Sequence, residues 1–173
     1  MRTFRTIFVT LIVIVIVVVG IAYLVLRDGL GAGRPPGRIE SAVARRLVVL
    51  SIPSASRSLT NPNASNPDAW RSAADHFDDH CAVCHGADGR GHSEFGNRMY
   101  PPVPDLADPA IQGMSDGALF SIIQNGVRWT GMPGFREEHT ADETWTLVSF
   151  VRHVPRMAPA DVEHHEHHER GDR

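Results

Sequence analysis

Lysine does not occur in this 173-residue chain, and 17 arginines carry its positive charge against 20 acidic residues. The net charge of −3 leaves no basic excess of the kind that binds nucleic acid, so that class of function is set aside. Cysteine is nearly absent, with only Cys81 and Cys84 present. Two cysteines make no disulfide framework, and they fall short of a four-ligand zinc site unless histidines complete it. No stretch alternates apolar and polar residues long enough to argue for a sheet, and no internal repeat is visible. An all-α fold is the expectation.

What is present is unevenly distributed. Residues 7–26 form an uncharged apolar run rich in valine and isoleucine. At 1.5 Å per residue, about 20 residues span a hydrocarbon core of roughly 30 Å. A cleavable signal peptide competes with this reading, because Arg2 and Arg5 make a positive N-terminal region. Its apolar segment is shorter, however, and ends at a small-residue site. This run ends in Tyr23-Leu24-Val25-Leu26-Arg27, so residues 7–26 are read as a transmembrane anchor behind a short N-terminus, 1–6. Arg2 and Arg5 favour a cytoplasmic N-terminus, but Arg27, Arg34, Arg38, Arg45 and Arg46 follow the span and leave the charge argument ambiguous.

Residues 27–67 read as a linker. Its start is rich in glycine and proline, which hold neither helix nor strand. Within it, Ile39, Val43, Leu47 and Leu50 recur at helical spacing, so a short amphipathic helix is expected over 39–50, lying on lipid or packed as an ordinary linker helix. Residues 54–67 are polar and read as an extended connection with little capacity to bury anything. The domain proper is expected over 68–157. Asn66 and Pro67 suit the cap and first position of a helix whose face, Ala69, Ala73, Phe77 and Cys81, leads into the cysteine pair. A second helix is expected from Ser115 or Asp116 to Gln124, closed by Asn125-Gly126. A third is expected from Thr140 to about Val154, opened by a capping box and stopped by Pro155. The segment 86–113 has few large apolar residues. A domain this small often needs a cofactor to complete its core.

Cys81-Ala82-Val83-Cys84-His85 is a C-x-x-C-H sequence, the haem-attachment signature. Two thiols three positions apart on a helix can each reach one vinyl group of a single porphyrin edge. The adjoining His85 then offers its imidazole to the iron, with its second nitrogen normally given to a carbonyl. A thioredoxin-like dithiol would sit in a βαβ pattern, which is missing. A zinc knuckle recruiting His76, His80 or His92 does not suit the helical context.

With the Gly89-x-Gly91 loop, Asn125-Gly126, and Gly131-Met132-Pro133-Gly134-Phe135, the motif resembles a class I monohaem cytochrome c. It is closest to the cytochrome c6-like and oxidase-subunit-type domains, over about residues 68–154. The resemblance implies a few helices around one covalently attached haem c per chain, with the first and last helices crossing: Ala73 and Phe77 against Phe150 and Val151. It implies that Cys81 and Cys84 hold the haem and that His85 and Met132 are the axial iron ligands. Met99 is then a pocket wall, and His92 an exposed loop residue. Arg98, Arg128 and Trp129 are candidates for contact with the haem propionates, the alternative being solvated arginines and a core tryptophan, and a carbonyl of Pro102 or Pro104 is the expected acceptor for His85. The resemblance also implies haem attachment on the outer side of the membrane. That fixes the orientation at a bacterial inner membrane, with the haem domain on the periplasmic side.

The C-terminal stretch, 158–173, reads as a disordered tail with His164, His165, His167 and His168 as a second, speculative metal site. With both axial positions filled there is no small-molecule substrate and no catalysis. The function expected is electron transfer between redox protein partners, such as a dehydrogenase, an oxidase or another cytochrome. The other readings are a fixed haem subunit of such a complex, or a metal-handling protein working through the tail.

Overall fold

The computed structural model describes residues 2–27, 31, 33 and 35–157. It divides near residue 32 into two compact units. The first is α1, Arg2–Leu26, with 25 residues and no break. It is long and apolar enough to cross a membrane, and its large side chains are exposed along its whole length, which is compatible with single-pass anchoring.

The second unit is all-α, with no strand among the described residues. Its first helix is α2, Arg38–Ser51, whose start is closed by the Gly37 N–H donating to the Glu40 carboxylate. The expected apolar stripe is there, and Ile39, Val43, Leu47 and Leu50 are all exposed. The Tyr100 hydroxyl donates to Glu40.

The segment read as an extended connection is different in the structure. Ser54–Arg57 is a short helix, α3, and it packs on a later helix, α7, Asp116–Asn125. Ile52 and Asn61 are buried. Ser115 Oγ donates to the Arg57 carbonyl at 2.9 Å, and Asn61 Nδ2 donates to Ser149 Oγ at 3.1 Å. Gly117 permits the approach, since a Cβ there would lie 2.0 Å from the Ser56 carbonyl oxygen. Most of these contacts are made by backbone carbonyls and an amide, with Leu59 Cβ beside them, so the polar composition of the segment did not signal them.

The helix expected from Asn66 also starts later. Asn66 Oδ1 accepts from the Asp68 N–H, which turns the chain. A 3-10 turn over Arg71–Ala73 leads into α4, Ala74–His80, and α5, Ala82–His85, follows after a break at Cys81. The short helix α6, Pro109–Gln112, lies in the segment with few large apolar residues; Asp108 caps it and Pro109 starts it. Helix α7 is capped by Ser115 and closed by Gly126, as its sequence requires. The last helix, α8, Ala141–His153, begins at the Thr140–Glu143 capping box.

The core forms where α4 and α8 meet. Phe77, Leu147, Val148, Phe150 and Val154 are each at most 2% exposed. The expected crossing is present in the stacked rings of Phe77 and Phe150. A polar clamp fixes α6 and α7 to α8: Gln112 Nε2 donates to the carbonyls of Leu106 and Val151, and Arg152 pairs with Asp116 at 2.8 Å.

Candidate haem site

The site is built on α5, a single helical turn. Its N–H groups at Cys84 and His85 both bond to the Cys81 carbonyl, which sets the two thiols and the imidazole on one turn. Ser93 closes the other end by donating its hydroxyl to the carbonyls of Val83 and Cys84. Both cysteines are free and half-buried. Burial, then the neighbouring Cys84 and Asp78, push the Cys81 thiol up to about 12, so it is held neutral.

His85 points into the fold, with its ring 6.4 Å from that of Phe77. Burial holds its pKa below the usual value, with the Pro104 carbonyl acting in the opposite sense. Its Nδ1 is buried and falls short of full hydrogen-bond geometry to any acceptor, the Pro104 oxygen included. Of the two prolines expected to support the ring, Pro104 is the one that acts on it. Gly91 explains how that segment comes so close. With φ at +78°, its Cβ would lie 2.6 Å from the Val103 oxygen and 3.2 Å from the Pro104 oxygen.

The Met132 loop is folded independently of this turn. Val127 N–H donates to the Met132 carbonyl, and Met132 N–H to Thr130 Oγ1. Gly126, at φ +65°, admits the loop, because a Cβ there would meet Pro133 and Gly134 backbone at 2.5 and 2.6 Å. Met99, expected as a pocket wall, lies against this loop: a Cβ on Gly131 would sit 1.8 Å from the Met99 methyl. Met99 directly follows the turn Gly96–Arg98, which packs on α5. No apolar pattern signals that contact, since it depends on Gly131 having no side chain.

The residues expected at the haem periphery lie at the surface. Arg98 pairs with Glu94 at 3.4 Å, both well exposed. Arg128 is exposed, and Trp129 is 85% exposed at a positive φ of 61°. His92 is exposed, as expected. The tail histidines His164, His165, His167 and His168 lie outside the described residues.

These groups fit a haem: two thiols on one turn, an inward imidazole with a buried nitrogen, and a methionine loop joined to the segment beside that turn through Met99. Residues 68–151, just under half the chain, match the family model described as cytochrome c oxidase, cbb3-type, subunit III. This stretch is therefore a c-type cytochrome domain, which binds haem and serves electron transport. No curated protein matches the sequence.

Proposed function

We propose that the chain is a membrane-anchored electron carrier with one haem c, covalently attached through Cys81 and Cys84, with His85 and Met132 as axial ligands. The observation that carries this reading is the α5 turn, which sets Cys81, Cys84 and an inward-facing His85 within one helical repeat. When bound, haem supplies one-electron iron chemistry at a potential that a thioether ligand raises relative to histidine. The chain's own contribution is positional. Pro104 offers a carbonyl to His85, the Gly126 turn presents Met132, and the Phe77–Phe150 core keeps water from one side. Helix α1 tethers the domain to the membrane, with the haem side outward in a bacterial inner membrane. Its partners are redox proteins, not small molecules.

Visible spectra of oxidised and reduced protein test this assignment, with Met132→Ala and Met99→Ala beside wild type. The methionine–ferric charge-transfer band should vanish in Met132→Ala and persist in Met99→Ala. The reverse result would move the ligand to Met99.

A second reading is supported by the family description itself, which is of an oxidase subunit. In that reading the domain is a fixed electron-entry subunit. Purification in mild detergent separates the two: a stable stoichiometric complex favours the subunit, and a monomer favours the carrier.

A further inference from the structure

Three histidines outside the haem turn share one small volume. His76 and His80 stand one turn apart on α4, and His139 closes the loop before α8. His76 Nε2 lies 3.3 Å from His139 Nδ1 and 3.1 Å from His139 Nε2. Ring centroids are 4.3 Å apart for His76–His139, 4.9 Å for His76–His80 and 5.2 Å for His80–His139.

The His76–His139 contact is itself a hydrogen bond, and the three ring spacings are close to those of imidazoles around one cation. With zinc–nitrogen bonds of about 2.05 Å, tetrahedral geometry puts ligand nitrogens ~3.3 Å apart and imidazole centroids ~5 Å apart. The third ring is held in place, because Phe135 stacks on His139 at 4.8 Å and 16°, and His139 is 4% exposed. Asp79 and Glu143 lie close enough to act electrostatically on His76, so two carboxylates stand by to offset a dication. Burial and the two other imidazoles hold His76 below its usual pKa, which favours the neutral ring that ligates metal. As the side chains stand, no group of three His, Cys, Asp or Glu among the described residues is placed to hold a metal ion. His80 supplies the missing freedom: it is exposed, and exposed side chains change rotamer in picoseconds to nanoseconds.

We propose that His76, His80 and His139 form a binding site for a divalent transition-metal cation of the imidazole-preferring class, Zn(II) or Cu(II), pinning α4 to the start of α8. The site is separate from the haem ligands and does not depend on which residue is the distal ligand. Copper would bind more tightly than zinc, following the usual order of divalent affinities.

The test uses the full haem-loaded chain in detergent, with His164, His165, His167 and His168 all changed to Gln so that the tail contributes no imidazole. Zn(II) is titrated by competition with a chromophoric chelator. One equivalent should bind, and His76→Gln and His80→Gln should each weaken it by roughly tenfold or more. Because His80 is exposed, its variant leaves the fold intact, and an unchanged visible spectrum and unfolding midpoint verify this. With Cu(II) as probe, nitrogen hyperfine structure should fall from three imidazoles to two in His80→Gln. No zinc binding in the tail variant, or binding that His80→Gln leaves unchanged, would overturn the proposal.

Discussion

The rings of Phe77 and Phe150 stack with centroids 4.2 Å apart and planes inclined by 23°, joining the helix that leads into the haem turn to the last helix of the domain. Phe150 is fully buried and Phe77 is 2% exposed. Phe150→Ala should therefore cost about 3–5 kcal/mol, the transfer and cavity terms together. Trp129→Ala, at a side chain 85% exposed, should stay within about 0.5 kcal/mol of wild type. Denaturant unfolding of the haem-loaded protein checks both.

A second prediction concerns a buried polar pair. Gln124 Nε2 donates to Thr144 Oγ1 at 2.6 Å, and Thr144 is fully buried. Thr144→Val keeps the shape but leaves the Gln124 amide short of an acceptor, which should cost about 1–3 kcal/mol. The same unfolding assay measures it, and the visible spectrum should not change.

The docked segment before the domain makes a third. Gly117→Ala would drive a methyl into the Ser56 carbonyl and should lift α3 away from α7. Faster tryptic cleavage after Arg57 than in wild type is the expected readout. Equal rates would show that the segment tolerates the methyl in place.

The capping box of α8 supplies a pH dependence. Hydrogen bonds from the Thr140 N–H and hydroxyl hold the Glu143 carboxyl below its usual 4.5. A carboxyl whose folded pKa is depressed stabilises the fold above its unfolded pKa, and that stabilisation is lost as pH falls through the folded pKa. The stability difference between wild type and Glu143→Gln should thus be constant at neutral pH and shrink on acidification below about 4.5. Unfolding midpoints across that range test the sign.

Much of the fold could be read from sequence because its signals are local. Ser115 and Gly126 bound α7, and Thr140 with Glu143 opens α8, each by a hydrogen bond within four residues. The haem turn was legible for the same reason, since Cys81, Cys84 and His85 fall within five consecutive positions. Beyond the Phe77–Phe150 crossing that the family resemblance implies, long-range contacts were not. The approach of α3 depends on an absent side chain at Gly117, and Met99 meets the Met132 loop through an absent side chain at Gly131. Glycine used to admit another segment leaves no apolar periodicity to detect. The histidine cluster is half visible in the sequence, where His76 and His80 stand near the cysteines as possible partners for a shared metal. His139 lies 59 residues beyond His80, and only tertiary packing joins them.

The packing of Ile52 and Asn61 against the domain has a practical consequence for anyone preparing a water-soluble piece of this protein. Cutting at residue 68, where the family match begins, would strip a built-in brace from α7 and leave Ser149 without its amide donor. A fragment starting at Gly37 keeps that brace and the first helix of the unit, and should be the better behaved of the two in solution.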